Sequence, residues 1–408
     1  MSLWNRNFSI VTIGSFISAL GGSITGVVFG ILIYQETQSP LILALFFVAN
    51  ILPRVITSFL VGPYIDRHSR KKIIVTIDYF YTSLFLIMGI VLHTGFFSVV
   101  VFTAIGALFG VIDTFYQTAF MSLFQEVITP GNHSRAYSIS SLLWPIAAAI
   151  MAPVAAYMID NFEFGVSYLM YFNAALFLVT ATIELFINAK ETLNQKQVVG
   201  RQFVADFKEA ILYYKKERGI LAITILFVAF QYVYAAQDLL RMPFFVSSAT
   251  YTLQHYSFLI TASAIGRVVG GLIHYTFKYP VKKKFLIAVS VYLAVEFLGA
   301  TQLYMPYFLM VATGFIVGLL SVTSFNIRMS ATQTYIPGEM RGRINSTQNL
   351  LWSFGGIIGA LVTGLIAEYT ALDYRLIMAG AAVVSISAIL LIPLKMSGEF
   401  KKIYNVDV

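Results

Sequence analysis

Gly62-Pro63-Tyr64-Ile65-Asp66-Arg67-His68-Ser69-Arg70-Lys71-Lys72 sets one acid and four cations between two strongly apolar runs, 41–62 and 73–92. Each run has about the 20 residues that carry a helix across a bilayer. Lys and Arg bias such a short loop to the cytoplasmic side. Gly62 and Pro63 are expected to break the incoming helix and to let two helices approach closely. Asp66 is placed to accept hydrogen bonds from a neighbouring helix end, or to pair with Arg67 or Arg70. Taken alone, the stretch is equally a solvated basic loop that fixes topology.

The rest of the chain has the same character. Of 408 residues, 58% are hydrophobic and only 11% charged, which defines an all-α integral membrane protein. With no cysteine, disulfides and thiolate chemistry are excluded. Twelve apolar runs follow one another, at roughly 8–34, 41–62, 73–92, 97–125, 136–159, 166–187, 220–246, 255–277, 285–304, 307–334, 344–367 and 374–394. With the N-terminus inside, every Lys and Arg except Arg54, Arg241, Arg267, Arg328 and Arg375 falls in an inner segment. The net charge of +8 is therefore an orientation signal and not a nucleic-acid patch. Both termini are expected in the cytoplasm, in a multi-pass protein of the plasma membrane. The first run is too long for a signal-peptide core and reads as an uncleaved helix.

The expected organisation is a six-helix half over 1–187, a cytoplasmic linker over 188–219, a second six-helix half over 220–394 and a cytoplasmic tail over 395–408. In the linker, Phe203, Phe207, Ile211 and Tyr214 fall at helical spacing among Lys208, Lys215 and Lys216. That pattern suits an amphipathic helix on the inner leaflet; the first dozen linker residues read equally as flexible chain. The halves repeat one another. Arg135, Ser138, Leu142-Leu143-Trp144 and Asp160 match Arg343, Ser346, Leu350-Leu351-Trp352 and Glu368 at one constant offset. A half-chain period means duplication of a six-helix unit, as expected of a transporter whose halves rock about a central site.

Gly62-x-x-x-Asp66-Arg67-x-x-Arg70-Lys71-Lys72 resembles the loop between the second and third helices of the major facilitator superfamily, with Ser69 where a second glycine is usual. The loop Pro337-Gly338-Glu339-Met340-Arg341-Gly342-Arg343 is similar to that of its macrolide-efflux and siderophore-exporter branch. Gly266, Gly270 and Gly271 before Lys282-Lys283-Lys284 resemble a degraded second copy of the first motif, without the acid. In the fifth run, Ala148, Ala152, Pro153 and Ala156 stand where drug antiporters carry spaced glycines and a proline. Close packing with a kink at Pro153 explains that pattern equally, and packing also suffices for Gly355, Gly356, Gly359 and Gly364.

An ionisable group inside a spanning helix is costly unless it meets water or a partner. The resemblance implies that the first, fourth, seventh and tenth helices line a central cavity. It thereby implies a substrate cavity of Asp113, Tyr116, Gln117, Gln231, Tyr234, Asp238, Arg241, Asn326 and Arg328. Asp113 is the expected proton-coupling group, with Asp238 in reserve because Arg241 lies one turn away; the competing reading pairs Asp113 permanently with Arg328 or Arg54. Arg54, Arg267 and Glu296 read as structural, and Glu126 and Glu184 as near enough to helix ends to reach water. Gly62, Asp66, Arg67, Arg70 and Lys71 form the expected cytoplasmic gating loop.

There is no phosphate-binding loop and no clustered metal-ligand pattern. No cofactor is expected, the proton gradient being the energy source. The implied function is proton-coupled efflux of a small amphipathic compound, drug-like or macrolide-like, by alternating access of a monomer. Uptake, lipid or siderophore translocation, and a transport-dead sensor or assembly partner remain the alternatives. An enzyme is not expected, because no acid pair or nucleophile–base set falls on one helix face.

Overall fold

The computed structural model describes residues 3–189, 191, 201–276 and 279–406, and among these all regular secondary structure is helical. In chain order the α-helices are α1 (Arg6–Thr37), α2 (Pro40–Arg67), α3 (Arg70–His93), α4 (Val99–Val127), α5 (His133–Asn161), α6 (Gly165–Glu184) and α7 (Arg201–Lys216). They continue as α8 (Arg218–Val246), α9 (Leu253–Thr276), α10 (Lys284–Thr301), α11 (Tyr307–Tyr335), α12 (Gly338–Tyr369), α13 (Tyr374–Lys395) and α14 (Ser397–Tyr404). All but α7 and α14 are long and apolar enough to cross a membrane, one for each apolar run of the sequence. The chain is a multi-pass membrane protein built of two six-helix pseudo-repeats.

By contacts it separates into two compact units. The first comprises Met1–Gln38, Ala49–Val199 and Tyr251–Thr261, and the second Ser39–Val48, Gly200–Thr250 and Ala262–Val408. Each unit thus takes a short opening piece of a helix whose remainder belongs to the other: the start of α2 and the start of α9.

In lipid no hydrophobic gain drives apolar helices together, so close backbone approach and packing must do it. In the first unit, α3 packs along α6 and α1 against α5 and α6. Gly110 lets α4 rest on α2, since a Cβ there would collide with the carbonyl of Asn50; the Asn50 amide donates back to the Gly106 carbonyl at 2.9 Å. In the second unit α12 lies on α8, with Gly355 and Gly359 against the backbone of Val228 and Tyr232. The tight packing expected of the glycines in the eleventh run is present.

Gly62 and Pro63 behave otherwise than the sequence suggests. α2 continues through both to Arg67, and a Cβ at Gly62 would find no atom within 4 Å. A proline removes one backbone bond while the remaining ladder carries the helix on. The turn is only His68 and Ser69, and the Ser69 hydroxyl caps α3 by accepting from the Lys72 amide at 3.3 Å. Pro153 likewise leaves α5 unbroken. It frees the Ala149 carbonyl, which accepts instead from the Thr261 hydroxyl at 3.1 Å within the same unit.

The amphipathic helix foreseen in the linker is α7, of which Ala210 and Tyr214 are buried in the core of the second unit while Ile211 is exposed. The Phe203 side chain and residues 190 and 192–200 lie outside the described residues. The expected tail is not loose chain: α14 buries Phe400, Ile403 and Tyr404 in that same core.

Candidate functional site

In the first unit, Asp113 of α4 sits at the centre of a three-helix contact. Arg54 of α2 donates to its Oδ2 at 2.9 Å, and the Tyr81 hydroxyl of α3 donates to Oδ1 at 2.7 Å. The ion pair is open, with side-chain exposures of 48% and 40%. Asp113 has no cation near it in sequence, yet Arg54 meets it across the helices, the alternative partner named above. Tyr116, one turn along α4, has its hydroxyl 3.4 Å from the Ser18 hydroxyl of α1, and Gln117 is exposed.

Tyr81 also feels a second group of acids. Asp78 of α3 is fully buried, and Glu184, the last residue of α6, is 1% exposed. They stand on the closely packed helices α3 and α6, near enough for each carboxyl to act on the other. Glu184 therefore does not reach water as its place near a helix end suggested: α6 ends inside the bundle against α3. The acid pair that no single helix face displayed forms between two helices.

In the second unit, α8 presents Gln231, Tyr234 and Asp238 as exposed residues. Asp238 lies in the field of Arg241 and of Arg267 from α9, and Arg267 also acts on the Tyr234 hydroxyl. Arg241 reaches Gln237 Oε1 at 3.4 Å. Arg267, read from the sequence as structural, thus joins the polar group on α8. Asn326 is half-buried on α11, with its backbone carbonyl accepting from the Ser330 hydroxyl at 2.8 Å.

Arg328 on α11 has a different setting. It is 7% exposed, with its guanidinium 4.0 Å from the ring centre of Phe227, 4.8 Å from that of Trp352 and 5.6 Å from that of Phe325. Beside it, the hydroxyls of Tyr292 and Tyr404 meet at 3.0 Å. Among the described residues no carboxylate pairs with it. The ring faces supply the negative potential that an acid would otherwise give.

The motif around the first loop is anchored within its own unit. Arg70 is buried, ion-paired with Glu126 of α4, and 4.0 Å from Asp66. Its backbone N–H and the Ser69 hydroxyl donate to Glu191 at 2.5 and 2.8 Å. Lys71 Nζ donates to the carbonyls of Leu185 and Ile187, at 2.7 and 2.6 Å, just past the end of α6. Of the expected gating residues, Asp66, Arg70 and Lys71 converge here; Arg67 is exposed, and a Cβ at Gly62 would meet open space.

Sequence reasoning missed Asp78, Tyr81 and Glu191. Asp78 had a signal, since it is an acid within an apolar run with an aromatic hydroxyl one turn on at Tyr81.

A duplicated six-helix bundle with ionisable groups buried between helices and others open on them defines a membrane transporter. The chain matches the Major Facilitator Superfamily over residues 11–295 and belongs to that family. It is similar to macrolide efflux protein A of Streptococcus pyogenes, 20% identical over 395 residues that cover 95% of each chain. It is also similar to the uncharacterized MFS-type transporter YkuC of Bacillus subtilis, 21% identical over 89% of this chain and 85% of that one. Among solved structures, the nucleoside transporter NupG superposes with a TM-score of 0.69 at 15% identity, covering 98% of this chain and 100% of that one.

Proposed function

We propose that this transporter exports an amphipathic, cationic compound of macrolide type in exchange for protons. The observation that carries the reading is the open Arg54–Asp113 pair, bridged to α3 by Tyr81. A half-exposed carboxylate held by one arginine is a site where a cargo ammonium can take the arginine's place at little cost, because exposed ion pairs are worth only about 0–1 kcal/mol. Within the same unit the exposed Gln117, one turn along α4 from Asp113, adds a hydrogen-bonding group that an amphipathic molecule can use. Likeness to macrolide efflux protein A along nearly the whole chain supports the cargo class. The excess of Lys and Arg in alternate loops supports a cytoplasmic position for the Asp66–Lys72 motif and both termini of a cell-membrane protein, with one chain as the transporting unit. Its two halves alternate access, with the proton gradient as the energy source.

The test is uptake of erythromycin by inside-out vesicles, with and without an imposed proton gradient. Gradient-dependent accumulation is expected in the wild type. Asp113→Asn removes the ammonium acceptor and should raise the erythromycin Kd roughly tenfold or more, the weight of a hydrogen bond to a charged group. Wild-type vesicles that accumulate no erythromycin, or an Asp113→Asn protein of unchanged affinity, overturn the reading.

A further inference from the structure

The Arg54–Asp113 pair leaves unexplained the two carboxyl groups buried between α3 and α6. Asp78 is fully buried and neither of its carboxyl oxygens meets a donor; Glu184, at 1% exposure, leaves Oε2 in the same condition. Buried polar atoms are rarely left so. The space for Glu184 is made by Gly14 of α1, where a Cβ would lie 3.0 Å from its Oε1. Among the described residues no Lys, Arg or His pairs with either acid. The titratable groups that act on the pair are Tyr116 from α4 and Tyr81 from α3 itself; α1 and α5 bring none.

Hydrogen-bond accounting then has one simple solution. A carboxylate only accepts, whereas a protonated carboxyl also donates. One proton between two neighbouring buried carboxyl groups lets one donate to the other, so that the pair carries one buried charge instead of two. We propose that Asp78 and Glu184 together hold one exchangeable proton and form the proton site of the transport cycle, separate from the cargo pair at Asp113. Loading makes a single O–H bond on one carboxyl, which donates to the other. Release returns that proton to water and leaves two carboxylates. The inference rests on the reading of the protein as driven by protons.

The position suits the task. Glu184 ends α6, and Lys71 of α3 caps the carbonyls that follow it. Asp78 lies about 10 Å further along α3, by the rise of a helix. The same helix carries Tyr81, one turn beyond Asp78, bonded to Asp113 at 2.7 Å. Displacing Arg54 from Asp113 is thus felt by the helix that shapes the proton site.

Infrared difference spectra of the purified protein in lipid vesicles, recorded between about pH 5 and 9 around the ordinary titration range of perturbed acids, test the site without any cargo. A carboxylic C=O band that disappears as pH rises is expected in the wild type. It should be lost in Asp78→Asn and again in Glu184→Gln, and kept in Asp113→Asn and Glu296→Gln. A band that survives both of the first two substitutions, or that never titrates in the wild type, overturns the assignment. The second readout is erythromycin flux: both variants should lose gradient-driven uptake and keep gradient-independent exchange. Wild-type flux that responds to sodium and not to protons would sink the proton-driven reading, while the infrared titration still decides the pair. Should Asp78→Asn fail to fold, Glu184→Gln and Glu184→Asp decide, the first expected to lose the band and the second to keep it shifted.

Discussion

α3 and α10 hold the same place in the two repeats, the third span of six, and each begins against the chain that follows its own unit's last span. In the first unit the returning group is Glu191, whose carboxylate accepts from Ser69 and from the Arg70 N–H. In the second it is Asn405, whose Oδ1 accepts from the Phe285 N–H at 2.9 Å while its amide donates to the Lys282 carbonyl at 3.1 Å. Lysines complete both ends: Lys71 on the carbonyls of Leu185 and Ile187, and Lys284 on that of Val406 at 2.7 Å. Duplication has kept the device and changed its charge.

The same divergence runs into the interior. Between the third and sixth spans the first unit sets Asp78 against Glu184, whereas the second sets Glu296 against the Ser385 hydroxyl, at 2.6 Å. The second acid has its donor and the first pair has none. Arg328, the buried cation of the second unit, stands in a box of rings where the first unit has no equivalent among the described residues. Trp352 stacks on Arg328, while its repeat partner Trp144 is 52% exposed and lies beside Gly22. Backbone packing is what the copies share; polar chemistry is where they have specialised.

The largest effect that would break this comparison is expected at Arg328. Arg328→Glu puts a carboxylate against three ring faces that repel it, and a buried charge without a partner costs about 3–5 kcal/mol. Folded yield after detergent extraction should collapse. Arg328→Met fills the box with a soft apolar chain and should keep the fold within about 1.5 kcal/mol by thermal unfolding. If both variants unfold alike, the box does not discriminate charge, and the contrast with the first unit is only one of shape.

Much of this was legible in the sequence. The twelve apolar runs, the half-chain repeat and a partner for Asp66 in either Arg67 or Arg70 follow from length, offset and charge, which are local or periodic quantities. The partner of Asp113 was not fixed, because Arg54 is near it only after α2 and α4 close over Gly110. Asp78 was overlooked and Glu184 assigned to water for a related reason: each looks ordinary on its own helix, and only α3 lying along α6 brings them together. Gly62 and Pro63 misled in the other direction, since a proline in a long apolar helix bends a ladder that is otherwise intact.

An intermediate effect sharpens the comparison at the caps. Glu191→Ala removes a carboxylate from the α3 N-terminus, where it meets the helix dipole and three donors; about 1–2 kcal/mol should be lost. Asn405→Ala removes a neutral acceptor from α10 and should cost about 1 kcal/mol. Thermal midpoints at low and high salt separate the two, since only the Glu191 contribution is screened. Equal losses with equal salt dependence would show that the charge at residue 191 adds nothing.

The smallest expected effect concerns the last span of each repeat. α13 starts at Asp373, whose Oδ1 accepts from the Arg375 N–H at 2.8 Å, while its other oxygen takes the Arg375 side chain at 2.6 Å. Its counterpart α6 starts at Phe164 with no side-chain cap. The hydrogen bonds from the Arg375 side chain, with help from its backbone N–H and its charge, hold the Asp373 carboxyl below its usual range. A carboxyl whose folded-state value is depressed contributes stability above its unfolded value, about 3.9. That contribution is lost as the pH falls through the folded-state value. Asp373→Ala should therefore lower stability at pH 7 by about 0.5–1 kcal/mol, the weight of an exposed N-cap, and by progressively less as the medium is acidified below about pH 4. Parallel melting curves at the two pH values check the sign. A loss that persists unchanged in acid would mean that the side chain acts by packing, and that α13 and α6 begin alike.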